Sequence, residues 1–579
     1  MPDDRLKALR AEMTRQGAQG YLIPRADEFQ GEFVAPYAER LKYICNFTGS
    51  GGMALILKDK AFLLTDGRYL IQAAAQTNYT IGDYIEKPTG EWIKENASAG
   101  DTIAYDPMLF TIAQIKHIET ALEGQGISLK PLTENLVDTI WHDQPQKPKS
   151  PIFTFPEGIA GASSQEKRES IASTLRAAGA KSALITMPDS ICWLLNMRGG
   201  DIDYIPYILS YAAITDEGQV KWFIDPDKIP TDITIDNAIE IIDIAEMFTA
   251  LENLPSPIAI DKTLTPIAFK DVGEVIGISD PCSHPRSLKS KAEQASIRKT
   301  HIKDGVALVK FLKWLEENGQ GRGEIEIAAK LRAFRAEDPA FKGNSFPTIA
   351  GFGANGAIIH YRADEATNAT IKNGNLLLID SGGQYAQGDT YGTTDITRTI
   401  ALGTPTEDMR RMNTLVLMGH IDLARAEFAT GTTGIEIDKL ARTPLQNEGL
   451  NFAHGTGHGV GCYLSVHEPA ANISPRSKAP LEAGMFLSNE PGYYKEGQGD
   501  EGFGIRIENL VLVQEVGEYT LKFETISLAP IDQALIVKDM LSPEQRAWLN
   551  TYHETVRETL TPHLDEAHQK WLKTSTTAL

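Results

Sequence analysis

The sequence is poor in cysteine and in long apolar runs. It has four cysteines among 579 residues, and none of them forms a C-x-x-C pair. Widely spaced single cysteines argue against a disulfide framework and favour a reducing compartment. No stretch is long and apolar enough to span a bilayer, and the charged start MPDDRLKALRAEM lacks the apolar core of a signal peptide. These features predict a cytoplasmic protein.

Basic residues are also in deficit. The chain has 56 Lys and Arg against 77 Asp and Glu, which gives a formal net charge of −21. Binding to nucleic acid or to an anionic membrane surface requires clustered positive charge, so this composition disfavours both partners. We interpret the acidity as a contribution to solubility.

Two segments of similar pattern open the chain. RLKALRAEMTRQGAQGYLI and EKRESIASTLRAAGAKSALIT are both typical of a helix, a glycine break and a strand. A proline-rich stretch from Pro145 to Pro156 favours an extended linker between them. We predict an N-terminal α/β domain over residues 1–150 and a second, related α/β domain over residues 151–286.

The rest of the chain, residues 287–579, alternates helical runs with strand pairs. This order predicts an α+β domain rather than a doubly wound parallel sheet. The run FGIRIENLVLV predicts a single strand. The tail that begins with SPEQRAWLNTYHETVRETL predicts a polar helical extension at the surface.

Two aspartates of this last domain follow or interrupt strand patterns. LLLID places Asp380 at the end of an apolar strand, where a buried charge needs a partner or a metal. GTTDITRT places Asp395 within a Thr-rich strand, on one face with Thr393 and Thr397. Either aspartate alone fits a turn or a helix cap equally well. The pair therefore gains weight only with other ligand types.

Histidines cluster in the same region. HGTGHGVG supplies His454 and His458, and its four glycines argue against a helix and indicate tight backbone around a site. The string lacks the Lys followed by Ser or Thr that a phosphate loop requires. His360 in IIHY and His467 in VHEP lie nearby in sequence. A single histidine of this kind is more often a core or surface residue than a ligand. The clustering makes a ligand only modestly more favoured.

Two glutamates complete the set. MFLSNEPGYY ends an apolar strand with Glu490, and Arg506 and Glu508 share one face of FGIRIENLVLV. A guanidinium beside Glu508 would keep that carboxylate ionised, although the pair alone equally fits an ordinary surface ion pair. Four carboxylates and one imidazole suit two bridged cations. Oxygen-rich ligation with one histidine favours Mn²⁺, Co²⁺ or Zn²⁺ over a thiolate zinc site.

Taken in order, these motifs resemble the pita-bread metallopeptidases, and in particular their long, three-domain aminopeptidase P branch. The resemblance is carried by GANGAIIHY, LLLIDSGGQY, GTTDITRT, HGTGHGVG, VHEP, SNEPGYY and FGIRIEN. TDGRYLIQA, NMRGGDIDYIPYILSYA and WLNTYH extend it over nearly the whole chain. It implies two tandem, related α/β domains followed by a pita-bread catalytic domain with a C-terminal helical extension.

The resemblance also implies roles for single residues. The implied metal ligands are Asp380, Asp395, His458, Glu490 and Glu508. Asp395 and Glu508 would bridge two ions, and Glu490 would also act as general base on the bridging water. His360 and His467 resemble the catalytic histidines that bind substrate and handle protons.

Two further residues resemble supporting members of the family's site. These are His454 and Arg506, and Arg506 would stand behind Glu508. The implied reaction releases the N-terminal residue from peptides with proline in second position, by attack of a metal-bridging hydroxide. Mn²⁺ is the favoured cofactor, with Zn²⁺ or Co²⁺ as alternatives, and a homodimer is implied as well.

Three other functions stay open at this point. A prolidase would cleave only Xaa-Pro dipeptides, and prolidases usually have one N-terminal domain rather than two. A non-catalytic pita-bread module that binds peptides or histones would have lost metal ligands, whereas all five candidates are present. Metal-free hydrolysis of the creatinase kind is disfavoured by the same five residues.

The chain departs from the family pattern at two connections. Asp380 and Asp395 lie fifteen positions apart, and Glu490 and Glu508 lie eighteen apart, both more than is usual. The extra residues fall in the polar, glycine-rich segments 386–392 and 495–502, where hairpin tips accept insertions at little cost. We expect intact ligand geometry and an altered rim. Asp389 is the alternative to Asp395 as ligand, and the flanking TTDITRT favours Asp395.

Overall fold

The computed structural model of the protein describes residues 2–497 and 499–579, so residue 498 of the second insertion lies outside the described residues. The chain divides into two compact units. The N-terminal unit comprises residues 1–155 and 162–283, and the C-terminal unit comprises residues 156–161 and 284–579. The domain boundaries at residues 150 and 286 stay predictions.

The strands of the N-terminal unit fall into two groups along the chain. The first group is β1 (Gly20–Pro24), β2 (Met53–Leu57), β3 (Ala61–Thr65), β4 (Thr80–Asp83), β5 (Thr102–Tyr105) and β6 (Ser128–Pro131). The second is β7 (Phe153–Thr154), β8 (Ser182–Ile185), β9 (Met197–Arg198), β10 (Tyr211–Thr215), β11 (Val220–Ile224), β12 (Ile239–Asp243), β13 (Ile258–Ile260) and β14 (Val275–Gly277).

The predicted repeat is confirmed by the topology of these two groups. Among the described residues, one sheet has the order β4-β3-β2-β1-β5-β6 and the other the order β12-β11-β10-β8-β13-β14. The three central strands of each sheet run antiparallel, and the flanking strands join them in parallel. The two halves therefore share strand order and strand direction.

Helices cover these sheets. In the N-terminal unit they are α1 (Pro2–Arg15), α2 (Arg40–Cys45), α3 (Leu70–Gln76), α4 (Thr89–Asn96), α5 (Ile112–Leu122), α6 (Leu136–Ile140), α8 (Ser164–Ala177), α9 (Pro188–Leu194) and α10 (Met247–Leu251). Helix α1 buries Leu9 and Met13, as their helical spacing predicts. Helix α8 begins at a capping box between Ser163 and Glu166, which satisfies two backbone donors.

The C-terminal unit mixes long helices with antiparallel strands. Its helices are α7 (Glu157–Ala160), α12 (Lys291–Asn318), α13 (Glu324–Arg335), α14 (Glu407–Ala424), α15 (Gly434–Gln446), α16 (Pro543–Leu560) and α17 (Glu566–Ser575), and α11 (Ser283–Ser287) begins at the unit boundary. Its first strands are β15 (Phe341–Asn344), β16 (Ile349–Phe352), β17 (Asn375–Ser381), β18 (Gly383–Gln387), β19 (Thr390–Thr393) and β20 (Ile396–Leu402). Its later strands are β21 (Glu427–Ala429), β22 (Gly457–Gly459), β23 (Glu468–Ile473), β24 (Phe486–Asn489), β25 (Gly492–Lys495), β26 (Phe503–Arg506), β27 (Asn509–Gly517) and β28 (Thr520–Thr525).

Within the described residues these strands form four sheets. Their orders are β15-β18-β19, β16-β17-β20, β21-β28-β27-β24-β22-β23 and β25-β26. Helix α14 packs its apolar face on the core that Ile505, Ile507 and Leu549 also line. The large antiparallel sheet and the β16-β17-β20 sheet supply the strands whose ends carry the predicted ligands.

The prediction of one continuous strand across FGIRIENLVLV is wrong. Strand β26 ends at Arg506 and pairs with β25, whereas β27 begins at Asn509 and pairs with β24. At the break, the Ile507 amide donates to Pro491 and the Glu508 amide donates to Thr397. The chain thus changes sheets at Glu508, which local strand propensity does not reveal.

The C-terminal extension is only partly the surface element that its polar sequence predicts. Helix α16 is amphipathic, and it buries Leu549, Tyr552, His553, Val556 and Leu560. The Tyr552 hydroxyl receives a 2.9 Å hydrogen bond from the guanidinium of Arg398, which lies on β20. The helix is therefore part of the core, because buried polar groups at its inner face are bonded to the sheets.

Arg398 is the centre of this connection. It is 3% exposed, and its guanidinium donates to the carbonyls of Pro530, Ala529 and Glu508. One side chain is thereby bonded to three segments: the one that contains Ala529 and Pro530, the one that contains Glu508, and helix α16 through Tyr552.

In the described residues, no helix combines the length and the apolar character that a bilayer span requires.

Candidate metal centre

Neighbouring strand ends bring three of the predicted ligands together. Asp380, near the end of β17, lies in register with Thr397 of β20. The Thr397 hydroxyl donates a 2.7 Å hydrogen bond to Oε2 of Glu508. Asp395 lies between β19 and β20 rather than within a strand as predicted, because the chain passes there from one sheet to another.

The imidazole and the remaining carboxylate reach the same place from the large sheet. His458 lies on β22, and its Nε2 is 3.5 Å from Oδ2 of Asp395 and 3.3 Å from Oε1 of Glu490. Glu490 directly follows β24, and the Ser488 hydroxyl donates to its Oε1 over 3.0 Å. The same hydroxyl accepts the His458 amide, which fixes the two ligand segments against each other.

Three of these groups are close enough to share one cation. Ligand atoms of Asp395, His458 and Glu508 all lie within 4.8 Å of one another. Asp395 and Glu508 are 4% and 1% exposed, so their charges are removed from water. Asp389, the alternative to Asp395, is instead an exposed residue whose carboxylate pairs with Lys299 at 2.5 Å.

Arg506 contacts one predicted ligand directly and another through Thr397. Its guanidinium donates a 2.6 Å hydrogen bond to Oδ2 of Asp380. Its Nε also donates over 3.3 Å to the hydroxyl of Thr397, which in turn donates to Glu508. The direct contact with Asp380 was not predicted, because the strand ends at Arg506 and Glu508 lies in the connection between β26 and β27. The second oxygen of Asp380, Oδ1, is buried and finds no hydrogen-bond partner among the described residues.

The electrostatics of the cluster favour a positive ligand. Burial raises the pKa of Asp380 to about 7, although Arg506 opposes this shift and Asp395 adds to it. Burial and the neighbouring carboxylates also raise the pKa of Glu490 and, further, that of Glu508. Burial disfavours the imidazolium of His458, but Asp395 and Glu490 more than offset this and raise its pKa to about 9. Burial and like charges raise the pKa values of the carboxyl groups, whereas opposite charges raise that of His458, and a bound cation would reverse these shifts.

Sequence reasoning missed Tyr494 as a member of the site. Its hydroxyl accepts a 2.7 Å hydrogen bond from Nη1 of Arg506 and lies 2.7 Å from Nε2 of His454. Burial raises the pKa of Tyr494 to about 12, so the phenol stays neutral at physiological pH. The signal was present in SNEPGYY, because the second tyrosine of β25 directly follows the ligand segment.

The other two predicted histidines occupy different positions. The ring of His467 stands edge-on to that of His458, with centroids 4.4 Å apart and planes at 88°. His360 is half-buried in the turn after a 3₁₀ segment, Gly353–Ala357. The part of His360 in substrate binding stays a prediction.

A second missed residue, His420 of α14, holds two ligand segments from behind. Its Nδ1 is 3.1 Å from the backbone carbonyl of Asn489, and its Nε2 is 3.1 Å from the side-chain Nδ2 of Asn509. Asn489 precedes Glu490, and Asn509 follows Glu508. Burial and the charge of Arg398 lower the pKa of His420 to about 3. A neutral imidazole therefore fixes the spacing between the two strands.

The donor set fits divalent cations. Carboxylate oxygens with one imidazole match ions that prefer oxygen ligands and accept nitrogen. The unpartnered Oδ1 of Asp380 beside the cluster is an acceptor that a cation would satisfy. Burying several carboxylates together is unfavourable, and added positive charge offsets that cost. The residues present thus fit a metal centre for hydrolytic chemistry.

Comparison with known families covers almost the whole chain. Residues 295–515 match the model of metallopeptidase family M24, and residues 519–579 match its C-terminal region. Residues 5–140 and 143–293 match two models of the creatinase/prolidase N-terminal domain.

Individual relatives and solved structures agree with these models. A probable Xaa-Pro aminopeptidase P of Laccaria bicolor is 36% identical over 98% of this chain and 92% of its own length. A relative of the same name from Fusarium vanettenii is 36% identical over 99% of this chain and 98% of its own. The structure of X-prolyl aminopeptidase from Caenorhabditis elegans, described as a cytosolic enzyme with a di-nuclear active site, covers 100% of both chains with a TM-score of 0.93 and 30% identity.

The fold and the buried centre define a pita-bread metallopeptidase, which is a hydrolase. The predicted architecture of two related α/β domains followed by a pita-bread domain is confirmed by the matched models and by the 0.93 TM-score. The chain belongs to metallopeptidase family M24, within its aminopeptidase P branch.

Proposed function

We propose that the protein is an Xaa-Pro aminopeptidase, which hydrolyses the amide bond before proline and releases the first residue of a peptide. The carrying observation is the buried cluster of Asp395, His458 and Glu508, with Asp380 and Glu490 beside it, in a chain that is similar over its whole length to relatives of that name. Full-length similarity matters here because the N-terminal domains are included in the match.

Five residues would hold two divalent ions. They are Asp380, Asp395, His458, Glu490 and Glu508, with Asp395 and Glu508 shared between the ions. Mn²⁺ suits this oxygen-rich set best, and Zn²⁺ and Co²⁺ are the alternatives. When bound, such ions lower the pKa of water toward neutrality and polarise the scissile carbonyl.

The protein's own groups would guide the proton steps. Glu490 is suited to accept the proton of the attacking water, because its carboxylate directly follows β24 and lies beside His458 at the cluster. His467, whose ring adjoins His458, is suited to donate a hydrogen bond to the substrate carbonyl or a proton to the proline nitrogen. His360 is the second candidate for these tasks.

The supporting residues act on ligand geometry. Arg506 orients Asp380 and favours its ionised form, and the neutral phenol of Tyr494 holds Arg506 and His454 in place. Interactions of this kind behind metal ligands typically change metal affinity or activity about 10- to 100-fold when they are removed.

A prolidase-type dipeptidase is the alternative within the class. A prolidase structure from Pyrococcus horikoshii shares the fold over 63% of this chain and 99% of its own, with a TM-score of 0.51 and 24% identity. The additional α/β domain of this chain therefore favours aminopeptidase P. A non-catalytic binding module is disfavoured because all five candidate ligands are retained.

The test compares peptide length and metal content. The metal-loaded protein is assayed on Arg-Pro-Pro-type peptides and on Xaa-Pro dipeptides, alongside Asp395→Ala and the control Asp389→Ala. We expect cleavage of the longer peptides, loss of activity and bound metal in the first variant, and parental behaviour in the second. Cleavage of dipeptides only would favour a prolidase. An active Asp395→Ala protein would remove that residue from the site.

Two properties outside the site extend the proposal. The related Caenorhabditis elegans enzyme is described as cytosolic, which supports a cytoplasmic location for this protein. The homodimer implied by the resemblance is tested by light scattering of the purified protein, and a monomeric mass at micromolar concentration would exclude it.

A further inference from the structure

Three charged side chains are buried together beside the proposed centre. Glu468 is in contact with the ammonium of Lys289, and its Oε1 is 3.3 Å from Nε of Arg286. The side chains of Arg286, Lys289 and Glu468 are 2%, 1% and 2% exposed. Removing three charges from water carries a large desolvation cost that mutual attraction only partly offsets. The net contribution of such a triad to stability is therefore small.

Glu468 lies next to two histidines of the proposed site. It is the first residue of β23, so it directly follows His467 in the chain. Its backbone lies opposite Gly459, the neighbour of His458, at an irregularity in the β22–β23 register. A Cβ on Gly459 would lie only 2.5 Å from the carbonyl oxygen of Glu468, so the two backbones are in close contact.

The cationic side of the triad is itself fixed. The Lys289 amide donates to the carbonyl of Gly484 over 2.8 Å, and its ammonium donates to the carbonyl of Arg286 over 2.8 Å. Gln294 of α12 donates from its side chain to the Lys289 carbonyl, also over 2.8 Å. The segment that carries both cations is therefore a rigid anchor for the Glu468 carboxylate.

We infer that Glu468 is a positioning residue, held by Arg286 and Lys289, that fixes the ring of His467 against His458. The inference deepens the proposed function and rests on it. The anchored carboxylate stops the start of β23 from rotating, and this sets where the imidazole of His467 meets the substrate. Without the anchor, a histidine in a half-buried loop has several rotamers available, and small misplacement of a reacting group is costly.

The direct test is Glu468→Gln, which keeps size and hydrogen-bonding capacity but removes the charge that binds both cations. We expect kcat to fall about 10- to 100-fold with KM changed less than about threefold and with metal content as in the parent. Lys289→Met should show the same pattern more weakly, and Lys289→Arg should restore most of the activity. Glu524→Gln is the matched control, because Glu524 also pairs with an arginine, Arg298 of α12, on the same unit.

Epistasis separates positioning from a general structural effect. In a His467→Ala background, Glu468→Gln should cause no further loss of kcat, because the group through which it acts is already absent. An equal loss in both backgrounds, or parental kcat in Glu468→Gln, would overturn the inference. If Glu468→Gln does not fold, the same cycle is run with Lys289→Met. Failure of the proposed function is distinguishable, because the parent itself would then lack Xaa-Pro peptidase activity.

Discussion

Removal of the metals should make the C-terminal unit less stable as the pH rises, and Asp380→Asn should relieve part of that loss. In the metal-free protein, burial raises the pKa of Asp380 to about 7 from an ordinary value of 3.8. The folded protein therefore binds a proton between these values that the unfolded chain releases. A carboxyl group with a raised pKa gives its full stability below pH 4 and loses it as the pH rises through 7.

The size of the effect follows from the shift. A difference of about 3 pKa units corresponds to about 4 kcal/mol of lost stability at pH 8, where both states are ionised. At pH 5 the unfolded carboxylate is already ionised, and the loss is about 1.5 kcal/mol. The stability of Asp380→Asn relative to the parent should therefore rise by about 2 to 3 kcal/mol between pH 5 and pH 8. The variant also loses the ion pair with Arg506, which lowers its stability by a similar amount at every pH. The change of the stability difference with pH is therefore the informative quantity.

The assay is urea unfolding of chelator-treated protein from pH 5 to pH 8. Hydrogen exchange in strand Asn375–Ser381 reports on the C-terminal unit separately from the N-terminal one. Asp389→Asn is the control, because its exposed carboxylate has a pKa lowered by Lys299 and its loss brings no gain at high pH. Saturating Mn²⁺ should stabilise the parent and not Asp380→Asn.

A flat or falling stability difference between Asp380→Asn and the parent from pH 5 to pH 8 would refute this reasoning. It would mean that the four carboxylates are hydrated or separated in the metal-free protein. A rise of similar size in Asp389→Asn would equally show that the effect is not local to the site.

Three other outcomes follow from the same contacts. Asp395→Ala should lower kcat at least about 1,000-fold and reduce bound metal, measured by peptide hydrolysis and elemental analysis, because a proposed metal ligand is lost. Tyr494→Phe should lower kcat about 10- to 100-fold with little change in KM, because the hydrogen bonds to His454 and Arg506 disappear; an unchanged kcat would contradict this role. Burial and Arg398 lower the pKa of His553 to about 4, so its contribution to stability is present above pH 6.5 and lost as the pH falls toward 4. The free energy of unfolding, measured by urea titration, should therefore fall between pH 7 and pH 4 by about 3 kcal/mol less in His553→Gln than in the parent.

The sequence predicted those features of the fold and of the site that depend on residues close together along the chain. Ligand types recur at strand ends, so LLLID and SNEPGYY predict where Asp380 and Glu490 lie before any contact is known. The repeat of the two α/β domains was detectable for the same reason, because helix, glycine break and strand follow one another locally. Glycine-rich HGTGHGVG likewise predicted the non-helical backbone around His458, which lies on β22.

The sequence could not supply pairings that depend on the path of the chain between sheets. Period-two alternation placed Arg506 beside Glu508, but the strand breaks there and Arg506 binds Asp380, 126 positions away. His420 was missed because its partner Asn489 is 69 positions distant and its own helix carries an ordinary apolar pattern. Long-range polar contacts of this kind leave no periodic signal in a single sequence.

The bonds of Arg398 have a consequence for the order in which the protein is made and folded. Its guanidinium needs the carbonyls of Ala529 and Pro530 and the hydroxyl of Tyr552, which leave the ribosome more than 130 residues after it. Until then the guanidinium lacks these three acceptors, and the hydrogen bonds that remain open to it are those to residues such as Glu508 and Asn509. The N-terminal unit can fold while synthesis continues. A nascent chain that is stalled before helix α16 should therefore contain a folded first unit and an unfinished, chaperone-accessible second one.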